Sequence, residues 1–119
     1  MARPRNFEEE DVIALAAEVF GRLGYNDCSI DDLLEATGLQ RGSLYKAFGS
    51  KRNLFEKVLQ RALIPGWLKQ NESLDLFIIA LRELAPEDDP IAELCRAALP
   101  KSKSEMAKII GERLLENLE

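Results

Sequence analysis

The sequence predicts an all-α fold: a three-helix domain built around a helix–turn–helix, then a short second layer of helices. Three observations carry this. Apolar residues recur at helical spacing along the chain, as in Val12, Ala16, Val19 and Leu23, or Ile91, Leu94, Cys95, Ala98 and Leu99. Gly24, Gly38 and Gly49 punctuate the first half where helices should stop. Pro65-Gly66 then breaks the pattern and gives the best boundary, dividing residues 1–64 from 65–119.

Residues 1–6 read as an arm. Arg3 and Arg5 flank Pro4, which blocks early helix formation. Such an arm is either a soluble tail or a basic contact to phosphate or the minor groove. Asn6 is a suitable N-cap with Glu9 at the box position, so the first helix is expected over residues 7–23. Its acidic first turn, Glu8 to Asp11, complements the helix dipole. Ser29 should cap the second helix with Asp32 as its partner. Leu33, Leu34 and Ala36 face inward, Gly38 makes the turn, and Leu39 plugs the junction. The third helix is expected over residues 40–48, anchored by Leu44 and Phe48. Gly49 ends it and Ser50 caps the fourth, whose apolar face is Leu54, Phe55, Val58, Leu59, Ala62 and Leu63.

After Trp67-Leu68, a hinge plug, three more helices are expected. Ser73 should cap residues 74–85, a helix apolar nearly all round and so deeply buried. Pro86 to Pro90 is an acidic turn, and Asp88-Asp89 read as solvated turn charges. The last helix is expected over residues 105–118.

Composition narrows the function. The chain has 119 residues, 46% apolar and 31% charged, which is globular and not disordered. Its apolar runs are too short to span a membrane. The basic start is followed by acids where a secretory leader needs apolar residues, so a cytoplasmic location and no membrane partner are expected. There is no histidine, and Cys28 and Cys95 match no metal spacing. No cofactor, metal or enzymatic activity is therefore expected. The cysteines read as reduced thiols; the alternative is a redox-sensing thiol, with Cys28 the better candidate.

Net charge is −5. The acidic bias falls mostly after residue 62. From Ala36 through Phe55 the sequence contains no acidic residue, while Arg41, Lys46, Lys51 and Arg52 are basic. A helix–turn–helix whose second half is basic and acid-free has the features of a DNA reader. Gly42 costs up to ~1 kcal/mol relative to Ala inside a helix, a cost that makes sense if a duplex must approach closely. Lys51 and Arg52 occupy the first turn of a helix, where cations oppose the dipole. With no visible structural gain, they read as a phosphate-binding corner.

Residues 29–54, with Phe20-Gly21-Arg22-Leu23-Gly24-Tyr25 before them, resemble the N-terminal domain of the TetR (tetracycline-repressor) family of bacterial transcription regulators. The carrying residues are Ala36-Thr37-Gly38-Leu39, Gly42-Ser43-Leu44-Tyr45, Phe48-Gly49-Ser50-Lys51 and Leu54. The likeness covers about half of the chain. It implies a three-helix DNA-binding domain followed by a short helical dimerisation layer, with helix 40–48 in the major groove. Gln40, Arg41, Gly42, Ser43 and Lys46 would lie at the base edges, and Arg41 suits a guanine edge. Ser29, Tyr45, Lys51 and Arg52 would contact phosphate, joined by Arg3 and Arg5 if the arm engages.

Three positions depart from the family pattern. Gln40 stands where Ser is frequent, leaving the reader helix without a good cap. Ala47 stands where His is frequent, and Arg52 where an acid is frequent. Typical members also carry a long C-terminal domain that holds an effector pocket and builds the dimer; here three helices follow Gly66. The expected function is a sequence-specific regulator of double-stranded DNA, a homodimeric repressor on a near-palindromic operator. A small-molecule effector stays open. The alternative is an interaction protein of the same fold that does not bind DNA and dimerises with a longer relative. Retention of Arg41, Tyr45, Lys46 and Lys51 argues against it.

Overall fold

The computed structural model describes residues 8–119. Among them are seven α-helices and no strand. They divide into two compact units, one ending at Val58 and the other running from Leu59 to Glu119.

In the first unit, α1 spans Glu9–Leu23, α2 Ile30–Thr37 and α3 Arg41–Phe48; α4, Lys51–Ala62, begins there. Helix α1 starts later than expected. Its N-cap is Glu8, in extended backbone and without a side-chain cap bond. Asn6, the expected cap, lies outside the described residues, as do Arg3 and Arg5. Glu9, Glu10 and Asp11 in the first turn supply the negative charge that favours this helix end. Gly24 closes the helix at φ 89°, its N–H donating to Phe20 O.

The core of this unit comes from one face of each helix. Val12, Ala16, Val19, Phe20, Leu33, Leu44, Phe48, Leu54, Phe55 and Val58 are buried. Phe20, Tyr25 and Phe55 form an aromatic cluster. The Phe20 and Phe55 rings meet edge to face at 5.1 Å, and Tyr25 sits 5.2 Å from Phe55 and 5.9 Å from Phe20. This cluster ties α1, the following loop and α4 together.

In the second unit, α5 spans Asn71–Glu83, α6 Asp89–Ala97 and α7 Lys103–Leu115. Short 3-10 turns occupy Trp67–Lys69, Ala85–Glu87 and Glu116–Leu118. Trp67, expected as a hinge plug, is buried within this unit: it lies 4.9 Å from the Phe77 ring, and its indole N–H donates to Ala98 O at 3.1 Å. Asp75 and Arg113 form a two-pronged ion pair at 2.8 and 2.9 Å, and Arg113 also meets Glu116 at 2.7 Å.

Four expectations are corrected here. Ser73 is not an N-cap. It is buried inside α5, and its hydroxyl donates to Ala62 O at 2.9 Å, satisfying a carbonyl at the end of α4. Helix α5 is not buried all round, because Leu81 is exposed while Leu74, Leu76, Phe77 and Ala80 are buried. Asp88 is more than a solvated charge: it caps α6 by accepting from Ile91 N–H. Helix α7 begins two residues early, because Ser102 and Glu105 form a full capping box, which also holds the Glu105 carboxyl below its ordinary value.

Candidate nucleic-acid interface

The helix–turn–helix is set by local chemistry. Ser29 accepts from Asp32 N–H, and its own N–H donates to Asp32 Oδ2, both at 2.9 Å. This box fixes the start of α2, and the Ser29 bonds hold the Asp32 carboxyl below its usual value. At the other end, Gly38 takes φ 76°, and its N–H donates to Leu34 O. That left-handed residue turns the chain within three positions, and Thr37 Oγ1 accepts from Leu39 N–H inside the turn. Helix α3 follows at once. Gln40 makes no side-chain cap bond, as its identity predicts.

Helix α3 is divided by burial. Leu44 and Phe48 face the core. Gln40, Arg41, Gly42, Tyr45 and Lys46 are exposed, and Ser43 is half-buried. Tyr45 stands out at 41% exposure for a large aromatic side chain. A Cβ added to Gly42 would meet nothing within 4 Å. No packing among the described residues therefore requires that glycine.

Folding changes the charge picture drawn from sequence. The acid-free stretch is not acid-free in space. Arg41 Nη2 lies 2.6 Å from Asp31 Oδ1, a pair joining the first turns of α2 and α3. Arg52 is paired with Glu56, one turn along α4. Lys46 has no ion-pair partner among the described residues. Lys51 corrects the sequence reading most. Its ammonium donates to Tyr25 O and Cys28 O, both at 2.9 Å, and lies 4.3 Å from the Tyr25 ring centre. The cation at the helix start thus has a structural return: it ties the loop between α1 and α2 onto α4. Ser50 completes this corner by accepting from Asn53 N–H at 3.0 Å.

Both thiols sit in shielded surroundings. Cys28 and Cys95 are free and buried. Burial pushes both upward, Cys95 to about 11. A thiolate is the reactive form, so these environments favour inert thiols. No group of three or more metal-ligating side chains occurs among the described residues. No described helix is long and apolar enough to cross a membrane. The second unit has an open apolar groove of about 530 Å³, lined by Phe77, Leu81, Leu99, Met106 and Ile110 among others.

Residues 12–58 match the family described as bacterial regulatory proteins, tetR family. This part of the chain is a TetR-family domain. Its matched span contains the whole helix–turn–helix and the start of α4. Similar proteins include the HTH-type transcriptional repressor BdcR of Escherichia coli, 33% identical over 91 residues, 76% of this chain and 41% of that protein. The uncharacterized HTH-type transcriptional regulator YezE of Bacillus subtilis is 37% identical over 82 residues, 59% of this chain and 42% of that one. The repressor ComR of Escherichia coli is 39% identical over 59 residues, 50% of this chain and 28% of the relative. The chain thus spans less than half the length of these relatives. The likeness to BdcR is longer than the TetR domain itself, so it continues into the second unit. The family and these relatives are transcriptional regulators by name, in accord with the expectation of no enzyme.

Proposed function

We propose that the chain is a sequence-specific DNA-binding transcriptional regulator of the TetR type, acting in the cytoplasm as a dimeric repressor on a near-palindromic operator. Residues 1–64 form the DNA-binding domain, and residues 65–119 the dimerisation region. Helix α3 lies in the major groove, with Gln40, Arg41, Gly42, Ser43 and Lys46 at the base edges. Tyr45 and Lys51 contact phosphate, with Ser29 and Arg52 at the rim.

The observation that carries this reading is the outward face of α3. It is exposed, contains no acid, and includes a glycine that packing among the described residues does not require. Gly42→Ala is accordingly expected to move stability and binding in opposite directions. The protein should gain roughly 0.5–1 kcal/mol in urea unfolding while its operator affinity falls. Arg41→Ala is expected to cost ~1–3 kcal/mol at one operator position and to relax the preference there. An unchanged site logo for this variant would remove Arg41 from the reader role.

Dimerisation draws support from Leu99, just after α6, and from Leu114 and Leu115 on α7, all exposed in the second unit. The decisive experiment is selection of bound sites from random duplexes at two salt concentrations. Recovered sites with two-fold symmetry, bound less tightly at the higher salt, are the expected result. Absence of salt-sensitive binding to any duplex would point instead to an interaction protein of the same fold.

A further inference from the structure

We infer that Asp31 is a positioning residue for Arg41, holding its guanidinium ready to read a guanine edge. The inference rests on the regulator reading above and assigns a role to a residue outside α3. Asp31 sits in the first turn of α2, and the chain places an acid beside a surface that must approach phosphate. Its side chain is 81% exposed, so beyond the small dipole benefit of a first-turn acid and an exposed ion pair it contributes little to stability.

The geometry explains it better. Arg41 opens α3, where a cation opposes the helix dipole and where Gln40 provides no side-chain cap. A long side chain in that position samples many rotamers, and fixing it on a base costs that freedom. Asp31 Oδ1 engages Nη2 alone. Nη2 carries a second hydrogen, and Nε and Nη1 are not taken by Asp31. A guanidinium held this way by one nitrogen still has a pair of parallel N–H groups for guanine O6 and N7. The carboxylate therefore orients the fork without occupying it. The same charge repels phosphate, so Asp31 should trade general affinity for discrimination.

The test is Asp31→Ala in the full chain, measured on the selected operator, on operators altered at the Arg41-read position, and on unrelated duplex. Asp31 is exposed and lies outside the core, so the variant is expected to fold. General duplex binding should rise, while preference for guanine at that position should fall by roughly three- to tenfold. In the Arg41→Ala background, the same substitution should leave base preference unchanged. Opposite movement of affinity and preference is a signature that a purely structural role would not produce. Preference unchanged in Asp31→Ala, or lowered equally with Arg41 absent, overturns the inference and leaves the regulator reading standing. Wild-type protein that binds no duplex overturns both.

Discussion

Phe55→Ala is expected to destabilise the first unit by about 3–5 kcal/mol, the range for emptying a buried aromatic site. Phe55 is fully buried and touches both other rings of the cluster. Its removal leaves a cavity bounded by Phe20 and Tyr25, which sit on α1 and on the loop after it. Neither can close the gap without moving the elements that carry α2 and α3. Small domains have only ~5–15 kcal/mol of total stability, so the loss is a large part of what exists. Urea unfolding followed by circular dichroism should show the midpoint fall sharply. Duplex binding should then fail at temperatures where the wild type still binds. Phe55→Leu, which refills much of the space, should recover most of the loss. A drop below about 1 kcal/mol in the alanine variant would mean that the cluster is less rigid than its edge-to-face geometry implies.

The helix–turn–helix was legible in the sequence because its determinants are local. Gly24, Gly38 and Gly49 all take positive φ at helix ends, where only glycine is comfortable. Ser29 and Asp32 form the expected box three residues apart. Leu44 and Phe48 are buried because they are one turn apart on one face. The Ser102–Glu105 box has the same three-residue spacing, and it starts α7 at Lys103, ahead of the expected 105.

What the sequence did not show is pairing across distance. Lys51 meets carbonyls 26 and 23 positions earlier, and Arg113 meets Asp75 across 38 positions. No periodicity encodes such contacts. The charge reading of the DNA face was incomplete in part for the same reason: counting acids along residues 36–55 could not reveal that Asp31, on the preceding helix, arrives against Arg41. Glu56 is a different case, a local partner one turn from Arg52 on α4 and one position outside that span. Local pattern reports which face a side chain takes. It does not report which charge arrives opposite.

Lys51 is where these two levels meet, and Lys51→Ala is expected to produce two separable losses. The first is structural. Two carbonyls of the loop lose a charged donor, a contribution of about 1.5–3 kcal/mol for such bonds, with the lower end favoured because Lys51 is only half-buried. The second is electrostatic. If the ammonium also faces phosphate, binding to every duplex should weaken alike, and the dependence of log affinity on log salt should flatten by about one unit. Lys51→Arg separates them. It keeps the positive charge, but a planar fork cannot reproduce a point donor shared by two carbonyls beneath a tyrosine ring. That variant should lose stability yet retain the wild-type salt slope. If Lys51→Ala lowers stability with no change in slope, the residue is a loop clamp and not a phosphate contact. If the slope flattens and stability is untouched, the carbonyl bonds contribute nothing net, and the cation at the start of α4 is there for DNA alone.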